Sequence, residues 1–98
     1  ISGEGEGPLL PDPKKVDILA IGCNPVSFDE TISSIMGFQS KLIPHINNAR
    51  KIKKYRLINN DICNILSNDS KYNSKQPHEL IYKDSLKFKP SKGWQNYL

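Results

Sequence analysis

VDILAIGCNPVSFDETISSIMG, residues 16–37, is the stretch whose reading decides how this chain folds. Its opening, VDILAIG (residues 16–22), is a compact apolar run rich in β-branched side chains, with lysines in front and Gly-Cys-Asn-Pro behind. Such a run between breakers predicts a buried strand that ends in a turn. Asn24 then offers a side-chain oxygen to the unpaired N–H groups of a helix start. Pro25 suits the first helical position, where its missing donor would be unused. Asp29 and Glu30 follow early, where negative charge complements the helix dipole. Phe28, Ile32, Ile35 and Met36 fall on one face, and Gly37 is the stop. Residues 16–37 read as a strand, a tight turn and an amphipathic helix of about three turns.

Working outward, a second helix starts around residues 42–44, with Ile46, Ala49 and Ile52 at helical spacing. It ends in the basic run RKIKKYR (residues 50–56), which suits a helix C-terminus. NND (59–61) reads as a turn, ICNIL (62–66) as a short strand and residues 67–79 as a polar loop. ELIYKDS (79–85) and LKFKPSKGW (86–94) alternate well enough for strands, the second with Leu86 and Phe88 on one side. On the other flank, residues 1–15 are dense in glycine and proline and read as an irregular, extended segment. The expected fold class is mixed α/β: one small unit, residues 1–98, with a β-turn-α core and additional short strands.

Composition narrows the functional classes. Ninety-eight residues make one small domain with a single modest core. The net charge is +4, and its excess gathers in residues 50–56. A basic cluster there is a candidate contact for anionic partners, and it satisfies the helix dipole equally well. No recognition-helix, RNP or zinc-finger pattern accompanies it, so nucleic acid is disfavoured. Two distant cysteines, Cys23 and Cys63, form neither a disulfide framework nor a metal-ligand spacing, and His45 and His78 stand alone. No metal site is expected. Nothing resembles a signal peptide, and the apolar run ILAI falls far short of the about 20 residues that span a bilayer. The default expectation is a soluble, cytoplasmic protein. The chain opens on Ile1, and the residues after it read as the middle of something, so the expectation is an excised piece of a longer chain.

Three features carry candidate chemistry. GEGEGP (residues 3–8) has glycine spacing that suggests a phosphate loop, but its carboxylates repel anions and no Gly-Lys-Ser/Thr follows. Its acids would suit a cation or a hydroxyl-rich ligand, or simply face solvent. Cys23 sits between a strand end and a helix start, where unpaired N–H groups stabilise a thiolate; it is also of a type often buried and inert. Asp29 lies one turn into the helix near the Cys23-Asn24 turn. With Glu4 or Glu6 folded across, a small polar site would form where open α/β sheets place their ligands.

Read together, GEGEGP, NPVSFD (24–29), IMGF (35–38) and IPHINNA (43–49) resemble the C-terminal part of the domain of unknown function 362 (DUF 362) family. The family pattern is E-G-N-G-P, a hydrophobic strand, D-P-V-A-x-D, then M-G and an I-x-x-x-x-x-A stretch. Glu4, Gly5, Gly7 and Pro8 match its first part; Pro25, Val26 and Asp29 match the second; Met36 and Gly37 match the third. Glu6, Asn24 and Ser27 depart from it, standing where Asn, Asp and Ala are usual. The resemblance implies the end of a larger domain, a small-ligand site holding Glu4, Gly5, Gly7, Asn24 and Asp29, and walls partly supplied by upstream sequence. It also implies a redox setting, since family members are often joined to iron–sulfur modules. Any such cluster would lie elsewhere in the full-length protein, because two isolated cysteines cannot ligate one. No reaction comes with the family.

Overall fold

The computed structural model describes residues 2–7, 9–54, 56, 63–81 and 83–98. The principal helix starts where cap chemistry places it. Asn24 is extended, and its Oδ1 accepts the Ser27 N–H at 3.0 Å, with Pro25 opening α1 (Pro25–Met36). Gly37 closes it at φ +99°, while the N–H groups of Gly37 and Phe38 return to Ser33 and Ser34 carbonyls. Only glycine adopts that left-handed geometry without strain, so the stop is written in the residue. Asn24→Ala removes the cap acceptor and is expected to cost about 1 kcal/mol. In a domain of this size thermal unfolding should show that as a midpoint lowered by about 4–8 °C.

The buried face of α1 differs from the expected one. Val26, Glu30, Ser33, Ser34 and Ile35 are buried, whereas Phe28, Ile32 and Met36 are only half-buried. The two serines can be buried because each hydroxyl donates one turn back, Ser33 Oγ to the Asp29 carbonyl at 2.6 Å and Ser34 Oγ to that of Glu30 at 2.8 Å. The first turn holds no acid. Asp29 lies beyond it and is exposed, and Glu30 points inward to Arg50 instead of serving the dipole. After the 3₁₀ turn Ser40–Leu42, α2 (Pro44–Lys51) packs on α1 with Ile46 buried, and it ends in Arg50 and Lys51 as the basic run suggested.

Residues 1–15 are more regular than their glycines and prolines implied. β1 (Ser2–Glu6) and β2 (Leu10–Lys14) pair antiparallel, with Gly3 opposite Pro13 and Gly5 opposite Pro11. A two-stranded ribbon has no further neighbour, so proline's missing donor is tolerated in it. Gly3 leaves the room: a Cβ there would stand 2.9 Å from the Pro11 Cβ. The hairpin is tied to the far end of the chain. Gly5 N–H donates to the Lys89 carbonyl at 3.0 Å, and the Lys89 and Lys92 N–H groups donate to Glu4 and Glu6 carboxylates, both at 2.9 Å.

The expected strands elsewhere do not form ladders. Residues 16–22 run irregularly past α1, with Asp17 at φ +52° and no backbone hydrogen bond among the described residues, and Leu19 and Ile21 are 93% and 90% exposed. The run has strand propensity but no partner among the described residues to satisfy its N–H and C=O groups. NND and Ile62 lie outside the described residues. Within the rest of ICNIL, Ile65 alone is paired, to Ser74 and Lys75, which closes the polar loop. ELIYKDS opens in a helical turn, α3 (Pro77–Leu80), that puts Leu80 at the centre of the core. LKFK serves α1, with Lys87 at φ +49°: Leu86 and Phe88 N–H groups donate to the Ile35 and Met36 carbonyls, at 2.7 and 2.8 Å. It leads into a final 3₁₀ turn, Lys92–Trp94. The core is Ile35, Tyr72 and Leu80, with Ile65 and Leu86 against it. The described residues form a mixed α/β fold: one two-stranded antiparallel sheet and three α-helices.

Candidate functional site

The turn from residues 18–22 into α1 encloses a crevice of about 370 Å³. Gly22 makes this approach feasible, since a Cβ there would lie 2.6 Å from Phe28 Cδ2. Ile18, Ala20, Phe28 and Ile32 supply apolar wall, and Asn24, Ser27 and Asn64 supply polar edge. Cys23 is exposed on this lining, and Cys63, half-buried, shares it with its Sγ 3.6 Å from Thr31 Oγ1. Tyr72 forms part of the wall. It is 5% exposed, and its hydroxyl is buried with no hydrogen-bond partner. Lys71 stands over the ring face, 4.8 Å from its centroid. The nearby Tyr72 oxygen, and then Asp69, hold the Lys71 ammonium above the ordinary lysine value.

The glycine hairpin forms a different place. Gly3, Glu4, Gly5 and Gly7 line a shallow cleft of about 230 Å³ with Phe38, Trp94 and Leu98. Pro8 lies outside the described residues. Glu4 is engaged rather than open. Lys14 Nζ donates to it at 2.9 Å while lying 4.7 Å from the centre of the Phe88 ring. That hydrogen bond first, and the Lys89 N–H second, hold the Glu4 carboxyl below its usual range. Because the folded value is lowered, its stabilising effect is present above the unfolded pKa and lost as pH falls through the folded one.

The expected site residues therefore stand apart. Asn24 and Cys23 line the crevice, while Glu4, Gly5 and Gly7 line the hairpin cleft. Asp29 lines neither, and no hydrogen bond or ion pair joins the two groups among the described residues. His45 is exposed on α2.

A third cavity, about 410 Å³, lies between α1, α2, α3 and the Ser40–Leu42 turn. Its wall holds Glu30 and Arg50, which sequence reading had assigned to the helix dipole and the basic run. Arg50 Nε and Nη2 donate to the two Glu30 carboxylate oxygens. A partnership across 20 positions and two helices has no local signature; the one available hint was an acid on a helix face that had to be covered.

Among the described residues no group of three or more His, Cys, Asp or Glu is placed to hold a metal ion, and no helix is long and apolar enough to cross a membrane. Compared with family models, curated proteins and solved structures, the chain matches none.

Proposed function

We propose that this chain is a ligand-binding α/β segment of a DUF 362-like protein, with its ligand seated in the crevice between residues 18–22 and α1. The ordered matches at Glu4, Gly5 and Gly7, at Pro25, Val26 and Asp29, and at Met36 and Gly37 support the family reading. The redox setting, with an iron–sulfur module elsewhere in the full-length protein, rests on that resemblance. The crevice has the size and mixed lining of small-molecule sites, which run about 300–1,000 Å³ with apolar walls and few polar groups.

The observation that carries the ligand reading is the Tyr72 hydroxyl. A buried hydroxyl without a partner costs about 1–3 kcal/mol, and a turn of the Tyr72 side chain toward the crevice, where an acceptor meets it, recovers that cost. The ligand class is accordingly a small molecule with an apolar body and a hydrogen-bond acceptor. Acetophenone and ethylbenzene share a shape, and only the first carries a carbonyl. NMR titration should show acetophenone shifting residues 18–24 and Tyr72 and binding about fivefold tighter, one neutral hydrogen bond's worth. In Tyr72→Phe the two probes should bind alike, and the variant itself should unfold no more easily than wild type. Equal affinity of both probes for wild type, or no saturable shift, would remove the reading.

A further inference from the structure

The cavity between the helices is built for a different chemistry. Glu30, 6% exposed, is the one carboxylate in its described lining, and both its oxygens are taken by Arg50. The fixed charges of the lining are then Glu30 at −1 and Arg50 and Lys41 at +1 each, a sum of +1. Lys41 comes from the 3₁₀ turn and makes no ion pair among the described residues. Asn47, half-buried on α2, and His78, exposed on α3, bring side chains that make no hydrogen bond among the described residues. Ser40 adds a half-buried hydroxyl.

Three elements thus converge an ammonium, an amide, an imidazole and a hydroxyl on one space whose only acid among the described residues is already neutralised. A cation finds no open carboxylate there. An oxyanion finds a net positive wall and several donors, the combination that gives charge-assisted hydrogen bonds. We propose that this cavity binds the small oxyanion group of a metabolite, a carboxylate or a phosphoryl. The site adjoins the crevice at Cys23 and Asn24, with Cys63 on both linings, and the proposal does not depend on what fills that crevice.

The test is a ¹⁵N–¹H NMR titration of the whole chain with sodium acetate and, separately, sodium phosphate, at ionic strength held constant with sodium chloride. Saturable shifts centred on Lys41, Asn47 and His78 are expected with at least one anion, and the tighter of the two identifies the group. Lys41→Gln should weaken that binding about tenfold, the loss of one charged hydrogen bond. His78→Gln should weaken it by a smaller factor. Lys53→Gln, in the basic run beyond α2, should leave it unchanged, and Lys41→Gln should leave acetophenone binding unchanged. Shifts that never saturate, shifts centred on Lys51 and Lys53, or equal losses in Lys41→Gln and Lys53→Gln would overturn the site.

Discussion

Arg50→Met is expected to destabilise the chain by about 3 kcal/mol, because it strands the Glu30 carboxylate inside the fold. Glu30 is 6% exposed and faces α2 from the buried side of α1, where water cannot replace the guanidinium. Breaking a buried pair from one side costs about 3–5 kcal/mol; the Arg50 side chain is one-third exposed, which places this pair at the low end. Replacing both partners removes the charge along with its counter-ion. The double variant Glu30→Met, Arg50→Met should therefore recover most of the loss. Urea unfolding of wild type, both single variants and the double variant closes a cycle whose coupling energy is the quantity of interest. A loss below about 0.5 kcal/mol for Arg50→Met would mean that the pair is a solvent-screened contact. The cavity beside it would then lose its neutralised acid.

The parts of this fold that were legible in the sequence are those made by neighbours. Asn24, Pro25 and Gly37 act within a turn of themselves, and α1 runs between them as read. Pro44 and the basic end of α2 are local in the same way. What was misread depends on partners far along the chain. Residues 16–22 have every side chain a strand wants, but a strand is defined by its neighbour's hydrogen bonds, and none is made among the described residues. The prolines of residues 1–15 pointed to irregularity, because the compensating glycines opposite them emerge only once the register is known. The acids Glu4 and Glu6 were open on sequence to a cation, a hydroxyl-rich ligand or solvent; in the fold they accept the N–H groups of Lys89 and Lys92, more than eighty positions away. For the site, sequence put Cys23 and Asn24 at the turn into α1, and in the fold both line the crevice there. It gave no sign of Tyr72, whose importance is a missing hydrogen bond, nor of Lys41, Asn47 and His78 meeting across three elements.

Leu80→Ala should cost about 3 kcal/mol, while the double variant Leu19→Ser, Ile21→Ser should stay within about 0.5 kcal/mol of wild type. The contrast inverts the expectation from hydrophobic patterning, by which VDILAIG is the buried heart of the fold and ELIY an ordinary flank. Leu80 has no exposed surface and packs with Ile35 and Tyr72, so truncation removes its transfer energy and leaves a cavity that the three-element core cannot collapse around. Leu19 and Ile21 are already in water, so polar replacements give up almost no burial. For a domain with about 5–15 kcal/mol to lose, 3 kcal/mol lowers the melting temperature by more than 10 °C, well clear of measurement error. Thermal unfolding by circular dichroism separates the two variants directly. If the Leu19, Ile21 double variant melted as low as Leu80→Ala, residues 16–22 would have to be packed in the folded molecule. The crevice beside them would then be closed by that packing and have no room for a ligand.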